Sequence, residues 1–486
     1  MKWRAAAVLG ATIWLAGCTV GPKYQRAAVP APPAWKGEGP WREAAPKDAL
    51  AKGAWWEIFH DDDLSRYEQQ LLAANQSLVA AKDRLDQARS LARVASAGLF
   101  PTVSTDPNLS RNRYSGNRPE SPIVTAPMTQ NTFEIPFALN YEVDLFGRYR
   151  KSLEAANANL QSTAADLQNV QLVLSAELAA DYFNLRELDA ETEVVQESIK
   201  IQTHGLDVVK HRHDGGIASG LDLAQQQTLL DSTVAQLYVL QEQRAQYEHA
   251  IATLTGVSAS TFTVAVAPLR TTPPAVPVGV PSDLLERRPD IATAERTVAA
   301  QNARVGIART AFYPQFTIAG AGGFQSISLG SLLTTPSGFW SFGGDLLQPI
   351  FNGGKNRANY AASKAAYEES VANYRQSALV AFQQVEDGLS GLTALSQAAQ
   401  NQDAAVADAK KALDIANDRY VGGLTTFLDV ITAETVLLNN QRLATQFLGQ
   451  RMVTSVYLVK AVGGGWDASS IQNEQVRPNP SQIIQQ

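Results

Sequence analysis

Val421-Gly422-Gly423, then Leu428-Asp429 and Val462-Gly463, is the second appearance of a pattern already written as Asp214-Gly215-Gly216, Leu221-Asp222 and Thr255-Gly256. Upstream, Phe351 with Gly353 repeats Phe146 with Gly147. The landmarks keep their order and nearly their spacing, so Phe351 to Gly465 is a second copy of Phe146 to Gly256. The chain is a tandem duplication. That organisation makes its 486 residues two halves of one body, not the three domains such a length would otherwise allow.

Each copy reads as a very long helix, a glycine turn and a returning helix. In the second copy Val371, Ala378, Val385, Leu392, Ala399, Val406, Leu413 and Tyr420 recur every seventh position, with Phe382 and Leu389 beside them, which is a coiled-coil seam. Leu153, Leu160, Leu167 and Leu174 keep the same spacing in the first copy. From Tyr149 to Arg212 there is no proline and one glycine, Gly205, so the helix can run about 95 Å. No ordinary globular core needs such a helix, whereas a coiled or barrel-like wall does.

Charged residues are 18 % of the chain and the net charge is −6, which indicates neither a nucleic-acid patch nor an acidic tail. The N-terminus reads as an export signal: Lys2 and Arg4, an apolar run from Ala5 to Trp14, and Leu15-Ala16-Gly17-Cys18, which resembles a bacterial lipobox. The apolar run is too short for a permanent membrane helix. Cys18 is the single cysteine, which favours a diacylglycerol and a palmitoyl group there over disulfide or metal chemistry; an ordinary signal peptide with an incidental cysteine is the alternative. Thr19, where an Asp would suggest retention at the inner membrane, points to the outer membrane.

Residues 18–60 form the tether, rich in Pro, Trp and Gly, ending on Trp55-Trp56 and Phe59. Asp61-Asp62-Asp63 offers capping carboxylates to a helix continuing to about Leu99. A calcium site there would lack the oxygen-ligand loop. After Pro101 the period changes. Phe133, Ile135, Phe137, Leu139, Tyr141, Val143 and Leu145 alternate with polar or small residues, so this is a strand with one apolar and one wet face. Thr102 to Tyr114 is a weaker partner strand. In the second half Gln315 to Phe324 and Gly338 to Phe351 form the matching pair, with Trp340, Phe342 and Leu346 on one face. A soluble hairpin on helices is one reading. The other is a transmembrane strand pair whose lipid-facing side chains are Phe133, Ile135, Phe137, Leu139, Trp340 and Phe342. Four strands leave two bare edges, and three chains would supply a closed barrel of twelve.

The expected organisation is therefore a signal peptide over 1–17, the tether over 18–60, a first repeat over 61–266, a Pro-rich linker over 267–281, a second repeat over 282–466 and a flexible tail over 467–486. The fold class is mainly helical, with long coiled hairpins and a transmembrane β part. No cofactor beyond the lipid on Cys18 is expected, and no enzymatic activity. His204, His211 and His213 are spaced seven and two apart and do not share a helical face, Gly320-Ala321-Gly322-Gly323 is not a phosphate loop, and no Gly-x-Ser-x-Gly elbow occurs.

Leu15-Ala16-Gly17-Cys18-Thr19-Val20-Gly21-Pro22, Trp55-Trp56, Val143-Asp144-Leu145-Phe146-Gly147-Arg148, Leu284-Leu285-Glu286-Arg287-Arg288-Pro289-Asp290-Ile291, Arg419-Tyr420 and Ala461-Val462-Gly463-Gly464-Gly465-Trp466 together resemble the outer-membrane efflux protein family that includes the TolC and OprM channels. The resemblance spans nearly the whole chain. It implies a homotrimer with a twelve-stranded barrel in outer-membrane lipid and a twelve-helix periplasmic tunnel. It also implies docking to a periplasmic adaptor and an inner-membrane pump, often of the resistance-nodulation-division type. In such a system the chain is a passive exit duct for drugs or other toxic compounds. An exit duct for type I protein secretion and a lipid-anchored structural coiled coil are the competing functions. The resemblance further implies a constriction at the tip of the inner hairpin, where Tyr420 matches a helix-linking tyrosine and Asp429 an inward carboxylate. Thr425 is uncharged where some relatives carry a charge, and Thr432 stands where some place a second acid, which thins the expected cation-attracting ring.

Overall fold

A computed structural model describes residues 19–36, 54–115, 128–276, 278, 281–466, 471 and 473–478. The export signal, Cys18 and part of the tether lie outside the described residues.

The first half opens with a short 3₁₀ turn, Trp55–Phe59, then α1 (Asp62–Ala74) and α2 (Gln76–Ala97). Three strands follow, β1 (Thr102–Thr105), β2 (Asn108–Tyr114) and β3 (Met128–Val143). The hairpin of α3 (Arg148–Asp214) and α4 (Gly220–Leu254) closes the half. In the second half, α5 (Leu284–Arg287) and α6 (Pro289–Thr310) precede β4 (Gln315–Ser326) and β5 (Gly338–Leu347). The second hairpin is α7 (Lys355–Val421) and α8 (Phe427–Ala461).

The duplication is tighter than the landmarks alone imply. Both long helices have 67 residues and both returning helices 35, with the turn between them unchanged in length. A 67-residue helix is about 100 Å long. Each long helix starts after a left-handed glycine, Gly147 (φ 85°) or Gly354 (φ 88°), where a side chain would meet its own backbone. All eight heptad positions of α7 are buried or half-buried, because α8 packs along them.

The expected continuous helix from Asp61 to Leu99 is broken at Asn75. This residue ends α1 and caps α2, its Oδ1 accepting from the Leu78 N–H at 3.0 Å while its Nδ2 donates to the Leu254 carbonyl at the end of α4. Asn75 is 5 % exposed, so one amide satisfies two helix ends in the core. The Asp triplet is used as a cap: Asp61 accepts from the Leu64 N–H at 2.9 Å and from the Tyr182 hydroxyl at 2.8 Å. Around it Trp55, Trp56, Phe59, Tyr182 and Phe183 form the largest core cluster, with the Phe59 and Phe183 rings 4.9 Å apart.

The sheet is antiparallel in the order β1/β2, β3, β4, β5. Thr102 to Tyr114 is one strand interrupted in place, since β1 and β2 pair with β3 in a single register on either side of Asp106-Pro107. That gap falls opposite Ile135 and Pro136, and two prolines, lacking N–H groups, remove ladder bonds there. β3 begins at Met128, earlier than the alternation suggested, and ends at Val143; β5 ends at Leu347, short of Phe351.

Within the C-terminal tail expected to be flexible, the described residues 471 and 473–478 are held against the helices. Ile471 is buried beside Trp466, Arg89 holds Glu474 at 2.7 Å, and Asn157 makes reciprocal bonds of 3.0 and 2.9 Å to the Val476 backbone. These contacts pin Ile471, Glu474 and Val476 to α2 and α3.

Candidate functional site

Residues directly opposite in an antiparallel ladder share a face, so the register decides what the sheet presents. Leu139 lies opposite Gly320 and Phe342, Phe137 opposite Gly322 and Trp340, and Ile135 opposite Phe324. Phe133, Ile135, Phe137, Leu139, Trp340 and Phe342 therefore occupy one face, joined by Val103, Leu109, Phe316, Ile318 and Leu346. The other face carries Ser104, Glu134, Ala138, Asn140, Glu142, Thr317, Ser341 and Asp345. Trp340 is 83 % exposed and Phe342 73 %, a contiguous apolar surface that water does not favour. Gly323 is required on the wet face, because a Cβ there would stand 2.1 Å from the Ile135 carbonyl oxygen.

The strand-to-helix junction is braced by charge. Arg148 forks onto Glu142, and Asp144 accepts from the Arg150 backbone N–H at 2.9 Å. Thr19 sits on Gly147, and Val20 N–H donates to the Phe146 carbonyl at 3.1 Å. The tether thus leaves the sheet end of the molecule and runs along the helices. Gly21 crosses Gly306 so closely that a Cβ would lie 2.7 Å from its Cα, Arg26 donates to the Leu285 carbonyl, and Trp35 packs on Phe382. The Arg-Arg-Pro-Asp segment is a joint. Buried Arg288 chelates Asp290 and donates to the Ala461 carbonyl at 2.9 Å, while Gly463 (φ 94°) lies against the Arg287 carbonyl, where a Cβ would be 2.0 Å away.

At the opposite end both hairpins turn on the same left-handed glycine, Gly216 or Gly423, with Ile217 N–H closing on the Arg212 carbonyl and Leu424 N–H on that of Arg419. Asp222 and Ser219 form a reciprocal capping box at 3.1 and 3.2 Å. Its counterpart Asp429 is exposed and accepts from the Thr425 hydroxyl, with Thr426 nearby at 3.4 Å. The Thr425 hydroxyl, the leading cause, holds the Asp429 carboxyl below the ordinary carboxylate range, so it stays ionised at neutral pH. Thr432 donates to the Leu428 carbonyl and brings no second carboxylate to the turn. Tyr420 lies under the Arg212 guanidinium, 4.8 Å from its ring centre, and 5.0 Å from the Phe427 ring. Its buried hydroxyl has no partner among the described residues. The structure thus brings Tyr420 to the first hairpin of its own chain, and places Thr425 and Asp429 together at the turn. Nδ1 of His211 faces the Asp207 carbonyl and that of His213 the Ala218 carbonyl, so both rings serve the helix end.

The outer membrane efflux protein model matches residues 68–257 and again residues 280–464. The chain belongs to the outer membrane efflux protein family. Its two matches coincide with the two halves of the duplication. The efflux protein is 30 % identical over 475 residues to the pyoverdine export outer membrane protein OpmQ of Pseudomonas aeruginosa, covering 96 % of this chain and 98 % of that one. It is 31 % identical over 480 residues to the toluene efflux pump outer membrane protein TtgI of Pseudomonas putida, covering 96 % and 100 %. Among solved structures, the outer-membrane channel OprN aligns with a TM-score of 0.85 at 28 % identity, covering 92 % of this chain and all of that one. The open-state MtrE channel of Neisseria gonorrhoeae aligns with a TM-score of 0.78 at 26 % identity, covering 93 % and 99 %.

Within this efflux protein, several charged groups carry no sequence signature. Arg442 on α8 reaches Glu191 on α3 at 2.6 Å and Gln236 on α4 at 3.0 Å, and Glu187 lies beside Glu191. Burial, then the Glu191 charge, pushes the Glu187 carboxyl well above its ordinary value. Arg212, the partner of Tyr420, is likewise unmarked by any motif. The only available signal was its place one repeat before Arg419.

Proposed function

We propose that this outer-membrane efflux protein is the passive exit duct of a tripartite pump, carrying small toxic molecules such as drugs to the cell exterior. The observation that carries this reading is a sheet four strands wide, with β1 and β2 in line, apolar on one face and open at both edges, growing directly from two 67-residue helices. Three chains would pair those edges into a twelve-stranded barrel with the apolar face toward lipid, and the six long hairpins would continue it as a tunnel. Acylation of Cys18 would set lipid next to Thr19, at the junction of sheet and helices.

The tips support the docking of a periplasmic adaptor. Ile217 (71 % exposed) and Leu221 on the outer hairpin match Leu424 (73 %) and Leu428 on the inner one, and these aliphatic side chains have no cover among the described residues. An adaptor, itself bound to an inner-membrane pump of the resistance-nodulation-division type, would seal them. Small-molecule export is favoured over protein secretion by relatives named for pyoverdine and toluene export. Three Asp429 carboxylates about the axis would attract cations, and Tyr420 with Arg212 would tie the inner tip to the outer. The test is complementation of a host lacking its own duct, with the cognate adaptor and pump supplied. Restored dye efflux and drug tolerance are expected. Rescue of protein secretion with no change in drug tolerance would overturn the assignment.

A further inference from the structure

A cavity of about 340 Å³ lies between α3, α7 and α8, lined by side chains of this one chain. Its apolar wall is Val194, Ile201, Leu413, Leu437 and Leu438. Glu434 of α8 lines the same space. That side chain belongs to a residue only 8 % exposed, and its Oε2 is buried with no hydrogen-bond partner among the described residues. Burying a carboxylate without a partner is costly, and a fold that only needed to fill this seam would place a leucine there. The other acids at the rim are already matched, Glu193 by Arg270 at 3.1 Å and Glu197 by Lys200 at 3.1 Å. Ser198 and Gln441 complete the polar side.

We infer that this cavity is a binding site for an amphipathic organic monocation, with an ammonium group on Glu434 and an apolar tail along the leucine wall. The volume falls within the usual range for small-molecule sites, and one unmatched carboxylate calls for one positive charge. A metal ion fits poorly: among the described residues no three ligating side chains converge. The ligand would bridge α3 of the outer hairpin to α8 of the inner one. The site is independent of conduction, so it can be measured on the purified channel whatever the outcome of the complementation test.

Hexylammonium is the probe and 1-hexanol its neutral counterpart, titrated into the full-length channel in detergent and followed by ligand-observed NMR. Wild-type protein should bind hexylammonium saturably and at least about tenfold tighter than hexanol at about pH 8. Glu434→Gln, which keeps the shape of the side chain, should weaken hexylammonium by about tenfold or more while leaving hexanol unchanged. Glu197→Gln, at the paired rim, should change it less than about threefold. Burial pushes the Glu434 carboxyl up to about 7, so hexylammonium affinity should fall by more than about tenfold between about pH 8 and pH 5.5 as that group takes up its proton. Should Glu434→Gln fail to assemble, Ile201→Trp, which fills the cavity from a half-exposed position, must abolish binding with the carboxylate intact. Equal binding of hexanol, unchanged affinity in Glu434→Gln, or displacement by magnesium as readily as by a second alkylammonium would each overturn the inference.

Discussion

The in-and-out assignment of the sheet can be tested at adjacent residues, Phe137 and Ala138. β3 pairs continuously with β4 from Phe133 to Val143. At about 3.4 Å per residue and a tilt near 45°, such a run spans roughly the 25 Å height of a barrel's lipid band. In the proposed barrel Phe137 and Ala138 would therefore sit near its midplane, on opposite faces. Phe137→Arg places a guanidinium in hydrocarbon, at roughly 2 to 4 kcal/mol per chain. In a trimer the charge is repeated three times, or roughly 6 to 12 kcal/mol in all. Even the lower figure exceeds a thousandfold loss of assembled species. Ala138→Arg adds the same charge to a wall made of Ser104 and Ala321, with Ser341 beyond, where water and space are available. The assay is the fraction of heat-dissociable trimer in outer-membrane preparations. Phe137→Arg should leave little or none, and Ala138→Arg nearly the wild-type amount. Equal loss, or equal tolerance, at the two sites would refute the face assignment and with it the barrel.

Other consequences are equally direct. Gly463→Ala forces a Cβ onto the Arg287 carbonyl at a left-handed φ and should destabilise the joint by roughly 2 kcal/mol or more, read as a lower thermal midpoint. Glu187 holds its proton more tightly in the folded chain than in the unfolded one, so its contribution is complete below the ordinary glutamate value and is lost as pH rises through the raised one. Thermal stability should therefore decline from about pH 5 to pH 9, and Glu187→Gln should flatten that decline; a slope unchanged by the substitution removes Glu187 as its source. Asp429→Ala should reduce cation preference in planar bilayers while Asp222→Ala, locked in its capping box, does little; the reverse pattern would mean that the other hairpin is inside. Cys18→Ala should abolish palmitate labelling, and persistent labelling would end the lipoprotein reading.

Local rules acting along the chain made much of this protein readable from its residues. Seven-residue spacing without proline specifies long helices wherever they pack, glycine pairs specify where they turn, and strict alternation specifies a two-faced strand. The duplication added a check, because each landmark had to occur twice. What the tertiary structure alone decided depends on which distant groups meet. Asn75 looks like any helical asparagine until the carbonyl of Leu254 arrives beside it. Glu474 and Val476 look like part of a mobile polar tail until Arg89 and Asn157 arrive as their partners. The register that collects Leu139, Phe137, Trp340 and Phe342 on one face follows from strand pairing across the two halves. Glu434 is one glutamate among many in the sequence. Only the packing of α3 and α7 against α8 withdraws it from water and leaves it without a cation among the described residues, because burial is a property of the assembled helices and not of the residue.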